Sequence, residues 1–154
     1  MDDRADVCPG IADPQQADVD ADGAGDLCDN CVFVRNPRLT TLPGWAVVTG
    51  GQRDDDADGR GNVCDGDFDN SGLNVGPKDT SLMRSAVGHH VSEHVCGSSE
   101  TESCARYDLD DSGGNVGPSD VSMFRNLLGL PLLPEQRCPS CRLPCTAGSA
   151  RSCP

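Results

Sequence analysis

The sequence predicts a small, irregular repeat protein made mostly of loops, with two short helices, in which metal ions and disulfides stand in for a hydrophobic core. Three observations predict it. The 154 residues include eighteen glycines, eleven prolines and ten cysteines, but only five aromatic side chains (Phe33, Trp45, Phe68, Tyr107 and Phe124). The formal net charge is −13, and much of the acid sits in evenly spaced ladders. Those ladders recur along the chain as two pairs. A chain this short of apolar area usually falls back on disulfides or metals.

The first ladder, DVDADGAGDLCD, places Asp18, Asp20, Asp22, Asp26 and Asp29 at positions 1, 3, 5, 9 and 12, with Gly23 at position 6. This is the spacing of an EF-hand type calcium loop. The cation takes six to eight oxygens, so it needs carboxylates at alternating positions, a glycine for the sharp turn, a carbonyl at position 7 and a closing acid at 12. The Ala24 carbonyl fills position 7. A solvated acidic tail has no need of glycine at position 6. The second ladder repeats the pattern with Asp54, Asp56, Asp58, Gly59, the Arg60 carbonyl, Asn62 and Asp65. Each ladder carries a cysteine at position 11, Cys28 and Cys64.

The cysteine spacing of this first pair, with Pro9, Asp13, Pro14 and Gln16 ahead of the first ladder and Asn36 and Pro37 ahead of the second, resembles the thrombospondin type 3 repeat. That resemblance implies a chain wrapped around calcium ions, with disulfides Cys8–Cys28 and Cys31–Cys64. The second copy departs from it through an insert, RLTTLPGWAVVTGGQ. Trp45 in that insert reads either as an exposed partner-binding tip or, as the better account, together with Val47 and Val48 as a short hairpin or plug packed on the repeat.

The second pair, DFDNSGLNVGPKDTSLMRSAVG and DLDDSGGNVGPSDVSMFRNLLG, aligns without a gap from Asp67 and Asp108. Asp67, Asp69 and Ser71, then Asp108, Asp110 and Ser112, take positions 1, 3 and 5. Gly72 and Gly113 take position 6, and the carbonyls of Leu73 and Gly114 position 7. Each loop leads into a helix. Pro77 and Pro118 suit a first turn, and Gly88 and Gly129 suit C-terminal caps. Leu82, Met83, Ala86 and Val87 form one apolar stripe, and Val121, Phe124, Leu127 and Leu128 the other. This is a loop with its exiting helix but no entering helix. The tandem resembles the dockerin type I module, which implies two helices packed together about paired calcium loops. The closing acids, Asp79 and Asp120, fall at position 13, one residue late, and are expected to coordinate through an accommodated bulge. Gly-Pro stands where that family recognises its cohesin partner.

Between the helices, His89, His90 and His94 form HHxxxH. Zinc is one reading, and a solvated connector the favoured one, because Gly88 ends the helix and no third ligand accompanies the pair. Cys96 and Cys104 are most simply a local disulfide. In the tail, Cys138, Cys141, Cys145 and Cys153 read as two disulfides of open connectivity, against a zinc knot or a redox CxxC.

The expected domains are residues 1–66, 67–129 and a Pro/Cys-rich tail, 130–154. Ten cysteines point to an oxidising, secreted or cell-surface setting. Residues 1–20 contain no apolar leader, so the chain reads as a mature fragment or a piece of a longer exported protein. No basic patch favours nucleic acid, and no segment has the length of a membrane span. No nucleophile motif or phosphate loop supports catalysis, so the expectation is a non-enzyme. The whole predicts a calcium- and disulfide-stabilised module binding about four or more calcium ions, serving as a structural or adhesive spacer. Its partners would be another extracellular protein or copies of itself. A docking module, or the non-catalytic end of an exported hydrolase, are the alternatives.

Overall fold

A computed structural model describes residues 6–72, 74–96 and 102–129. Regular structure is sparse in them. A two-stranded antiparallel hairpin pairs β1 (Val48–Thr49) with β2 (Gln52–Arg53), turning through Gly50 and Gly51, both at positive φ. Two α-helices follow, α1 (Pro77–Ala86) and α2 (Pro118–Leu127). Single 3₁₀ turns lie at Asn62–Cys64 and Ala105–Tyr107. Both helices begin at the proline, whose missing N–H costs nothing there. Both stop before a left-handed glycine, Gly88 (φ 95°) and Gly129 (φ 73°).

The described residues belong to two compact units. One contains the chain up to Leu42 and Val47–Gly61, and the other contains Pro43–Ala46 and the chain from Asn62 onward. The first unit has little apolar interior. Cys8–Cys28 closes it, with a Cα–Cα separation of 5.6 Å. Its centre is polar: Gln52, wholly buried, donates to Asp29 Oδ1 at 2.8 Å and to the Asn36 carbonyl at 3.1 Å, and accepts from the Asn30 N–H at 3.1 Å. Asn36 in turn donates to Asn30 Oδ1 at 2.7 Å. A buried amide is stable only when its donors and acceptors are met, and here the insert supplies the residue that meets them. Arg38, also from the insert, donates to the carbonyls of Gly23, Val7 and Gly50. Cys31 and Cys64, one in each unit, are both disulfide-bonded.

The second unit has a true apolar core, built almost entirely from equivalent residues of the two loop-helix copies. Phe68 and Leu109, Val75 and Val116, Leu82 and Met123, Met83 and Phe124, and Ala86 and Leu127 all belong to it. Tyr107 adds to these, its ring 4.5 Å from that of Phe68, which stacks on Phe124 at 5.3 Å. The stripes therefore do not simply cover each other, because the Phe68 and Tyr107 rings are packed into the same core. Val87 and Leu128, at the stripe ends, stay exposed. Two reciprocal bonds join the copies: Gly88 N–H donates to the Val116 carbonyl at 2.8 Å, and Gly129 N–H to the Val75 carbonyl at 3.1 Å. The connector is closed by Cys96–Cys104, and His90 bridges Asn115.

Part of the insert behaves otherwise than expected. Its hairpin forms, but Val47 is exposed and Trp45 is not part of a plug on the repeat. Pro43–Ala46 belong to the second unit, where the indole lies beside Gly113. The tail cysteines, Cys138, Cys141, Cys145 and Cys153, and Leu73 lie outside the described residues.

Candidate metal centres

All four ladders fold into the same small cage, and the main chain builds it. The carboxylate at position 1 accepts the N–H groups of positions 5 and 6. Asp18 holds Asp22 and Gly23, Asp54 holds Asp58 and Gly59, Asp67 holds Ser71 and Gly72, and Asp108 holds Ser112 and Gly113, all at 2.8–3.3 Å. The carboxylate at position 3 also accepts the N–H of position 5 in every loop, from Asp20, Asp56, Asp69 and Asp110. Such a tight wrap needs left-handed backbone at position 6, and all four glycines have it, with φ between 68° and 97°. Position 4 is left-handed too, at Ala21, Ala57, Asn70 and Asp111, where a side chain bears some strain.

The wrap brings carboxylates together. One oxygen from each of Asp18, Asp20 and Asp22 lies within 4.8 Å of the others, and the same holds for Asp54, Asp56 and Asp58; for Asp67, Asp69 and Asp79; and for Asp108, Asp110 and Asp120. The late closing acids are thus brought in. Asp79 accepts the Asp69 N–H at 3.1 Å and the Gly76 N–H at 2.8 Å, and Asp120 does the same with Asp110 and Gly117 at 3.1 and 2.7 Å. The extra residue of each loop has a place: Val75 and Val116 are buried in the core, and their carbonyls take the reciprocal bonds.

The first pair differs at position 5, where Asp22 and Asp58 accept the N–H groups of Ala24 and Arg60. In the second pair Ser71 and Ser112 instead donate their hydroxyls to Asp67 and Asp108. Asp26 accepts the Val19 N–H, Asp65 the Asp67 N–H, and Asn62 donates its amide to the Ala105 carbonyl.

Electrostatics shows what these cages lack. Burial, reinforced by Asp22, Asp29 and Asp18, pushes Asp20 up to about 6. Burial, outweighing the Thr49 hydroxyl that donates to it, pushes Asp54 up to about 7. Burial likewise raises Asp29, Asp67 and Asp120. Asp20 Oδ2 and Asp29 Oδ2 are buried without a hydrogen-bond partner. A carboxylate is not left like this without cost. Asp69 goes the other way, down to about 2, because Lys78 donates to it from 3.0 Å. Asp110 is also lowered: burial opposes the shift, but Ser119 and Ser112 prevail.

Oxygen-only donors, clustered and partly buried, two of their oxygens unpartnered in the first loop, fit a hard divalent cation. The histidines do not gather in this way: His89 Nδ1 lies 2.9 Å from Glu93 and His90 Nδ1 2.8 Å from Ser92. Among the described residues, no helix is long and apolar enough to cross a membrane.

The sequence pattern did not single out Gln52 or Arg38, which order the first cage from behind. Their insert carries no repeat to compare, so no periodicity marks them.

No curated protein and no solved structure matches the chain. A family model does, in two stretches. The residues it skips, 40–52, lie inside the insert, and its second stretch takes in Asp67, Asp69 and Ser71. Over residues 2–39 and 53–74 the chain is similar to the thrombospondin type 3 repeat, a calcium-binding module typical of extracellular proteins.

Proposed function

We propose that the chain is a secreted, non-catalytic structural module, a stiff spacer whose order depends on about four bound calcium ions. One observation carries this reading: four loops of the same backbone geometry each bring three carboxylate oxygens within 4.8 Å of one another. Calcium, when bound, supplies the missing positive charge. The chain's own part is to hold the oxygens, through position 1 gripping the N–H groups of positions 5 and 6. The ligands are assigned as Asp18, Asp20, Asp22, Asp29 and the Ala24 carbonyl in the first loop, and Asp54, Asp56, Asp58 and the Arg60 carbonyl in the second. Asp67, Asp69, Ser71 and Asp79 serve the third, and Asp108, Asp110, Ser112 and Asp120 the fourth. Ion binding to sites that exist only in the folded chain is folding free energy.

The experiment is chelation with the disulfides intact. Removing calcium is expected to expand the hydrodynamic radius and erase most of the circular dichroism of the helices, since the carboxylates then repel and the apolar content is small. Unchanged radius and spectrum in excess chelator end this reading.

A second reading, a dockerin-like docking module, is favoured by a groove of about 380 Å³ that both helices line. Its walls are equivalent residues of the two copies, Met83 and Phe124, Val87 and Leu128, with Arg84 and Arg125 beside them. Such a groove suits an apolar anchor flanked by acids. Arg84→Glu with Arg125→Glu would abolish capture of such a partner and leave a pure spacer unaffected.

A further inference from the structure

The loops Asp67–Asp79 and Asp108–Asp120 are near copies with the same internal hydrogen bonds, yet one of them is covered. A Cβ placed on Gly113 would lie 3.5 Å from Trp45 Cζ2 and 3.7 Å from Cη2, whereas one on the equivalent Gly72 would meet nothing within 4 Å. The indole edge thus rests over position 6 of one loop and leaves its twin open. Trp45 is the chain's single tryptophan, it is half-buried, and it is presented by a tight turn in which the Ala46 N–H donates to the Pro43 carbonyl at 3.1 Å.

We propose that Trp45 is a positioning residue for the Asp108–Asp120 loop, making it the tighter calcium site of the pair and the one whose occupancy the indole senses. This rests on the calcium reading above. The physical chain is short. Gly113 sits in the left-handed region (φ 71°), and its N–H donates to Asp108 Oδ2 at 3.0 Å. A ring packed on that glycine restricts the backbone that aims the Asp108 carboxylate. Less freedom is then lost when the ion binds, which is affinity through preorganisation. Gly72 makes the same bond, to Asp67 Oδ2 at 2.8 Å, with no ring to steady it.

The test titrates calcium into the full disulfide-bonded chain while NMR follows the Gly72 and Gly113 amides, one probe per loop. In Trp45→Ala the dissociation constant read at Gly113 is expected to rise about threefold to tenfold, the worth of one aromatic contact, with less than about a twofold change at Gly72. A second measurement does not depend on that variant folding. Terbium, a calcium-sized lanthanide, should luminesce through indole excitation at saturating metal in the unaltered chain and in Asp69→Ala, but not in Asp110→Ala. Equal losses at both amides, no loss at Gly113, or sensitised terbium surviving in Asp110→Ala would each overturn the assignment while leaving calcium binding in place. If neither amide responds to calcium in the unaltered protein, the assignment falls together with the reading it rests on.

Discussion

The loops beginning at Asp67 and Asp108 share length, the glycine at position 6, the closing acid and nearly every hydrogen bond, and differ in the residue before that acid and in what lies over that glycine. The first meets Lys78, whose ammonium sits 3.0 Å from Asp69. The second has Ser119 at that place, and an indole over its glycine. The cage is therefore a property of the local backbone, while the charge beside it and the cover over it differ between the copies. A lysine already on a carboxylate is expected to compete with an incoming cation, and a ring on the turn to assist one.

Four measurements test how far the two copies differ. The largest effect belongs to the core that the copies share. Phe124→Ala should cost about 3–5 kcal/mol and the equivalent Met83→Ala about 2 kcal/mol in denaturant unfolding with calcium present, because Phe124 also stacks on Phe68. Equal costs would mean that the two helices bury themselves alike.

Proton competition comes next, at the ladder whose first acid is least like the others. Asp54 is raised from 3.8 to about 7. A folded-state value above the unfolded one means that the metal-free fold binds an extra proton, so its stability declines as pH rises from about 4 through 7. Calcium takes the deprotonated form, and its affinity at this ladder should fall roughly tenfold per pH unit below 7. That slope should flatten in Asp54→Asn, and an unchanged slope there would contradict the assignment of the proton to Asp54.

Asp69→Ala asks whether the twin loops are independent. It should abolish binding in its own loop and weaken the Asp108 loop about tenfold, within the usual range of coupling between sites, because the copies exchange reciprocal bonds and share one core. An unaltered second affinity would show separate beads. The smallest effect is Lys78→Ser, which copies Ser119 into the first loop. Releasing one exposed ion pair should tighten calcium there about twofold to fivefold, read at the Gly72 amide; weaker binding would mean that Lys78 orders Asp69 rather than competing for it.

Much of this was legible in the sequence, for local reasons. Glycine at position 6, acids at 1, 3 and 5, and proline followed by an apolar stripe act within a dozen residues, and cages and helices follow from them. The late acids Asp79 and Asp120 could be expected to close their loops because both copies carried the same extra residue. What could not be read depends on contacts distant along the chain: Gln52 reaching Asp29, Arg38 reaching Gly23, and Trp45 lying on Gly113. The insert that supplies all three has no second copy, so no periodicity marked it. The aromatic centre was hidden for a related reason, since Tyr107 lies outside both repeats and nothing in its spacing connects it with Phe68.

The reciprocal bonds between the copies also have a consequence for exchange with solvent. Helix amides can be protected by a helix alone, but the N–H groups of Gly88 and Gly129 bond only across to the opposite copy, to Val116 and Val75. Neither bond can survive separation of the two halves. In deuterated water, where exchange outpaces reclosing, these two hydrogens would therefore be lost at one common rate, set by how often the halves part, a clock for opening that an amide bonded within a single half does not provide.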